Sequence, residues 1–287
     1  MRKYCFILDT GSSYGLVNGQ DDTFIVPIQI IQANKKGLVN TYSDGIDFFR
    51  PMILESYENG SDLSTAQPNM ELVKELIKDC LKSYEKVIFI PLSKEISGFY
   101  NTLKNIEKSE PNLIVVDSGI MGIGGNWIRD DIENEISNNN LELNSESINN
   151  FVALKRNKWC GALIVSDLSK LAKSGRISKF KALISNFLRL KILMQFDGKL
   201  SFQSKDMNIE VSVSKALKML DEKIKYSENG ISRITIMAEM LDEKINDKLV
   251  NYITKKLNIE SFQVSLLPIP VKIFTGLNTF SILMETK

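Results

Sequence analysis

The chain contains no histidine. That absence removes a Ser-His-Asp triad, a Cys-His dyad, an H-E-x-x-H zinc site and any histidine proton shuttle. Lysine or carboxylate chemistry is what remains. Cysteine is sparse as well. Cys5, Cys80 and Cys160 are odd in number, far apart and set among apolar residues. They fit buried thiols in a reducing compartment better than a disulfide framework or a zinc site. Net charge is lacking, since 36 Lys and Arg residues face 35 Asp and Glu residues. Such a balance provides no overall field to hold nucleic acid or an anionic membrane. Long apolar runs are missing too, and none approaches the roughly 18 residues that span a bilayer. The short run after Arg2 and Lys3 is ended by Asp9 before a signal core can form. The expectation is a cytoplasmic protein with no integral membrane association.

What is present reads as globular. Hydrophobic residues make up 43% of the 287 and charged residues 25%, which is ordinary for a folded chain and long enough for two domains. The expected boundary puts an N-terminal α/β domain at 1–150 and a C-terminal α+β domain at 151–287. In the first, strands are expected at Tyr4–Leu8, Phe24–Gln32, Lys86–Ile90 and Leu113–Val116. Helical spacing marks Asp44–Glu58, despite Pro51, and Met70–Lys82, with Leu72, Val73, Leu76, Ile77 and Cys80 on one face. Further helices are expected at about 97–108 and 122–136. This alternation predicts a mainly parallel sheet with helices on both faces. The polar stretch 138–150 reads as a connection or a partial helix.

In the second half, Lys191–Phe196 and Lys199–Gln203 flank Asp197-Gly198, a hairpin signal for a two-residue turn. Helices at about 211–226 and 241–257 alternate with strands at 233–238, 262–267 and 271–274. Helices and antiparallel strands together predict a two-layer α+β domain.

Four polar clusters fall at expected strand ends or helix starts. They are Asp9-Thr10-Gly11-Ser12-Ser13, Ser64-Thr65-Ala66-Gln67-Pro68, Ser97-Gly98-Phe99-Tyr100 and Asp117-Ser118-Gly119. Ligands of open parallel sheets bind where the strands' carboxyl ends converge, and helix N–H groups there attract anions. Hydroxyls add donors without charge, so the combination suits a carboxylate or a phosphate. Each cluster also has a plain architectural reading. Ser64 or Thr65 suits a cap ahead of Pro68, Ser97 suits a cap of its own helix, and Asp9 and Asp117 suit turns. Gly122-Ile123-Gly124-Gly125 fails as a dinucleotide fingerprint because position 127 is Trp127, and no phosphate-binding Walker loop occurs. Those glycines instead allow a lipid tail or a neighbouring helix to approach closely. Arg176, beside Gly175, suits an anionic ligand or partner, or a solvated position. A serine hydrolase is a weaker alternative, with Ser97 or Ser118 as nucleophile and a lysine as base. Neither serine has lysine three residues on or sits in a Gly-x-Ser-x-Gly frame.

Taken together, the clusters resemble the DegV family over nearly the whole chain. Thr65-Ala66-Gln67-Pro68-Asn69 resembles the family's Thr-Ser-Gln-Pro-Ser, and Ser97-Gly98-Phe99-Tyr100 its Ser-Gly-Thr-Tyr. Residues 171–178, LAKSGRIS, resemble the Gly-Gly-Arg-Ile segment, and residues 191–200, KILMQFDGKL, the lysine–proline and Asp-Gly hairpin. The resemblance implies two α/β domains with a long-chain fatty acid between them, no cofactor, no metal and no catalytic residue. Thr65 and Ser97 would hold the carboxylate. Asp9, Ser12, Gln67, Gly98, Asp117, Ser118, Gly122, Gly124, Phe274 and Thr275 would line the pocket. Arg176 would face a separate kinase subunit that makes the acyl phosphate. One departure stands out, since Phe274 occupies the position of a family histidine and Ile192 that of the hairpin proline. A different amphiphile, or no ligand, is the alternative this departure raises.

Overall fold

The computed structural model describes residues 2–175 and 190–287. These fall into two compact units, Met1–Leu154 with Pro268–Pro270, and Lys155–Leu267 with Val271–Lys287.

The first unit is built on four parallel strands in the order β2-β1-β6-β7. They are β1 (Arg2–Asp9), β2 (Thr23–Val26), β6 (Tyr84–Ile90) and β7 (Leu113–Val115). Each of β1 and β6 carries a continuous apolar run because both faces are covered. The two-residue period sorts that run. Cys5, Ile7, Val87 and Phe89 face a core completed by Val73, Ile77 and Cys80 of α2 (Met70–Ser83) and by Phe99 and Leu103 of α3 (Phe99–Glu107). Phe6, Leu8, Ile88 and Ile90 face the other core, with Ile128 and Ile132 of α4 (Ile123–Ser137) and Ile148 and Val152 of α5 (Ser145–Lys155). The expected parallel sheet with helices on both faces is therefore present.

Several local expectations are corrected. Phe24–Gln32 is not one strand. Pro27 has no N–H to give a ladder, and the chain leaves β2 there to begin β3 (Gln29–Ala33) in a separate antiparallel sheet. That sheet has the order β4-β3-β5, with β4 (Val39–Ser43) and β5 (Asp62–Ala66). The expected helix over 44–58 is only α1 (Pro51–Glu58), with Pro51 in its first turn, where a missing N–H costs nothing. Ile46 and Phe49 lie before it and are exposed, as is Leu54, while Ile53 is buried. Leu72 is likewise exposed rather than on the buried face of α2.

The second unit is a six-stranded sheet in the order β10-β9-β8-β13-β11-β12, antiparallel except where β12 joins β11. Its strands are β8 (Trp159–Val165), β9 (Lys191–Phe196), β10 (Leu200–Asp206), β11 (Ile231–Glu239), β12 (Gln263–Val264) and β13 (Thr279–Thr286). One face packs on α7 (Ile209–Ile224) and α9 (Glu243–Leu257), through residues such as Ala216, Leu220, Leu249 and Ile253. This is the expected two-layer α+β arrangement. The hairpin forms, but Phe196 pairs with Leu200, so the loop has three residues and only Gly198, with φ of 103°, takes a positive angle. The expected strand at 271–274 is instead part of α10 (Ile269–Thr275). The strand follows it as β13, which lies between β8 and β11. Of the strand expected at 262–267, only Gln263 and Val264 pair.

Candidate functional site

The carboxyl ends of β1 and β6 are held by a buried aspartate. Asp9 Oδ1 accepts from the N–H groups of Gly11 at 2.8 Å and Ser12 at 2.9 Å, and Oδ2 accepts from Leu92 N–H at 2.7 Å. Complete burial pushes its pKa up to about 6, while these three donors and Ser12 pull the other way. Ser12 Oγ donates to the carbonyl of Ile90 at 2.7 Å. Ser118 Oγ does the same for Pro91 at 3.0 Å, and Ser93 N–H reaches Ile120 O at 2.9 Å. The polar atoms of Asp9, Ser12 and Ser118 thus tie the strand-end loops to one another. Another buried acid, Asp44, is also pushed up to about 6, chiefly by burial.

The glycines ahead of α4 serve this framework. Gly122 has φ of 57° and donates its N–H to Gly11 O at 2.8 Å. A Cβ on Gly125 would stand 1.7 Å from Ser12 O, so only glycine lets α4 rest on the β1 turn. Gly124 is buried in the same first turn. Gly122 and Gly125 therefore meet backbone of the β1 turn. Gly11 to Gly15 also has the spacing of a nucleophile elbow, but Ser13 Oγ donates to Asp9 O at 3.0 Å and no α-helix follows the turn.

Two hydroxyls differ from these. Thr65 is half-buried in β5, opposite Ile30, and its hydroxyl has no partner among the described residues. Ser97 is half-buried ahead of α3. Its Oγ accepts from Phe99 N–H at 3.3 Å and donates to no group among the described residues. The expected capping by Ser64 or Thr65 does not occur. Asn69 caps α2, accepting from Glu71 N–H at 2.9 Å, a role legible in Pro68-Asn69 two residues before an acidic first turn. Gln67 is exposed, and Thr102 Oγ1 of α3 donates to its Oε1 at 3.0 Å, which ties the segment after Thr65 to the helix that follows Ser97. Gly98 is exposed at the start of α3. Asp117 is fixed by Lys94 Nζ at 2.6 Å and Asn149 on its N–H at 2.8 Å.

In the second unit, Phe274 is half-buried and Thr275 buried at the end of α10. The turn after them is pinned by buried Lys272. Its Nζ donates to Leu277 O at 2.9 Å and Glu239 O at 3.1 Å, and lies 3.3 Å from the Glu239 carboxylate. Arg176 lies outside the described residues. Among the described residues, no group of His, Cys, Asp or Glu could hold a metal and no helix is long and apolar enough to cross a membrane. An open groove of ≈ 900 Å³ lies at the opposite, amino-terminal edge of the parallel sheet. Its charged rim is self-paired, Arg2 with Asp22 and Lys82 with Asp79.

A family model described as "Uncharacterised protein, DegV family" matches residues 16–287. A DegV domain-containing protein of Ureaplasma parvum is 30% identical over 208 residues, covering 71% of this chain and 94% of that protein. The solved structure of a fatty acid binding DegV family protein from Streptococcus agalactiae superposes with a TM-score of 0.82 at 19% identity, over 100% of both chains. The Fatty Acid Kinase (Fak) B3 protein of Streptococcus pneumoniae, loaded with linoleic acid, gives 0.74 at 16% identity, over 99% of this chain and 100% of its own. At such identities the two solved structures establish the likeness of fold.

Proposed function

This chain belongs to the DegV family, and from that premise we propose that it is a cytoplasmic carrier that binds one long-chain fatty acid and presents the carboxylate to a separate kinase. Thr65 and Ser97 hold the carboxylate. The observation that carries this reading is that, among the described residues, these two half-buried hydroxyls donate to no protein group, while Ser12 and Ser118 spend their hydroxyls on the framework and Asp9 accepts within it. The similar proteins described as fatty acid binding or loaded with linoleic acid support the ligand class, and the pneumococcal protein, named for a fatty acid kinase, supports the kinase. No cofactor is needed, because binding requires only donors and an apolar surface. Arg176 contacts the kinase.

The apolar tail dominates affinity. Roughly fifteen carbons beyond the carboxyl, at about 0.8 kcal/mol each, exceed 10 kcal/mol before immobilisation is subtracted. The hydroxyls set orientation, and each hydrogen bond to the carboxylate is worth about 1.5–3 kcal/mol. Phe274 removes one polar contact and leaves the tail's contribution untouched. Native mass spectrometry of the purified protein is expected to show a bound long-chain acid. In a Thr65→Ala/Ser97→Ala double variant the bound fraction is expected to fall sharply, and a normal complement of fatty acid would count against the assignment.

A further inference from the structure

Thr65 and Ser97 stand on separate frameworks of the first unit. Thr65 belongs to β5, an edge strand of the small antiparallel sheet, where it pairs with Ile30. Ser97 follows β6 of the parallel sheet, and its N–H is held by Ser93 O at 3.0 Å. A carboxylate that accepts from both hydroxyls at once needs a fixed gap between them, because O–H···O bonds span only about 2.5–3.0 Å. A bond close to both residues bridges the two frameworks, since Thr102 Oγ1 donates to Gln67 Oε1 at 3.0 Å. Both ends of that bridge are stiff. Pro68 is buried and restricts the residue before it to extended backbone. Gln67 therefore carries on the line of β5 two positions after Thr65, with its side chain on the same side. Thr102 lies one turn into α3, its N–H reaching Gly98 O at 3.4 Å, and Ser97 Oγ accepts from Phe99 N–H at the start of that helix. Among the described residues neither Gln67 nor Thr102 has another side-chain hydrogen bond.

We propose that Gln67 and Thr102 are positioning residues, whose bond sets the separation of the Thr65 and Ser97 hydroxyls across which the carboxylate is shared. The inference rests on the fatty-acid reading above. Gln67 thus acts through Thr65, from an exposed position, without touching the acid. The test titrates delipidated full-length protein with palmitate and compares Gln67→Met, which keeps the length and removes the acceptor, with Thr102→Val, which keeps the shape and removes the donor. Each is expected to weaken palmitate binding about fivefold, the two together no more than either alone, and Thr102→Ser to restore the loss. In a Ser97→Ala background, where no shared gap is left to hold, Gln67→Met is expected to have no further effect. Unchanged palmitate binding by Gln67→Met and Thr102→Val would overturn the inference. The same loss with and without Ser97 would also overturn it, making the bond a structural prop of α3. If the unmodified protein bound no palmitate, or Ser97→Ala bound it normally, the fatty-acid reading or its carboxylate assignment would fall, and this inference with it.

Discussion

Replacing Gly125 with alanine tests whether α4 is seated directly on the β1 turn. The added methyl carbon would lie 1.7 Å from Ser12 O, 2.9 Å from Ser12 C and 3.3 Å from a Leu8 methyl. Backbone is the first obstacle, so no side-chain rotation relieves it. Reaching ordinary contact, about 3.4 Å, requires the helix and the turn to part by roughly 1.7 Å. Ser12 cannot follow such a shift and keep its bonds, because its N–H is 2.9 Å from Asp9 Oδ1 and its Oγ is 2.7 Å from Ile90 O. Overpacking alone costs about 1–3 kcal/mol. Loss of a hydrogen bond to a buried carboxylate adds about 1.5–3 kcal/mol. The expected destabilisation is therefore about 3 kcal/mol or more. Gly98→Ala is the control, because nothing lies within 4 Å of its Cβ position and its φ is −73°. That change is expected to be neutral or stabilising by up to about 1 kcal/mol. Urea denaturation followed by circular dichroism measures both. If Gly125→Ala and Gly98→Ala unfolded at the same midpoint, the close contact of α4 with the turn would be refuted.

Acidification has an unusual expected sign. Asp9 titrates at about 6 in the folded chain against an ordinary 3.8, so the native state binds more protons between those limits. Its destabilising contribution, about 3 kcal/mol at most, is complete above pH 6 and disappears as the pH falls toward 4. Asp44 acts in the same direction. Denaturation midpoints measured at pH 7 and pH 5 should show this gain reduced in Asp9→Asn, and an identical pH dependence in that variant would contradict it. The thiols give a further measurement. Cys5, Cys80 and Cys160 are all buried and unbridged, and burial pushes the Cys160 thiol up to about 12. An aromatic disulfide reagent is expected to label none of them in the native protein and all three in denaturant, and rapid labelling under native conditions would show the cores to be looser than described.

Much of the first unit was legible because its signals are local. The apolar runs of β1 and β6 and the helical spacing of α2 each lie within one short window. The hydroxyl clusters were legible as candidates, but their sequence could not sort framework from free groups. Ser12 and Thr65 look alike as residues. One spends its hydroxyl on a carbonyl 78 positions away, and the other keeps its own unspent. The pairing of Pro27 with a change of sheet was obscured by the continuous apolar pattern around it. The segment 271–274 has strand composition, yet it turns as a helix held by the Lys272 ammonium, whose partner Glu239 is distant in the chain.

The amino-acid order by itself determined the absence of histidine chemistry, the neutral charge, the alternation that makes a parallel sheet, and the motif series that resembles the DegV family. Tertiary structure alone decided which polar groups are spent and which remain available, because hydrogen bonds are settled by neighbours in space and not by neighbours in the chain. It decided in the same way that Gln67 meets Thr102, a partner 35 residues on in the chain.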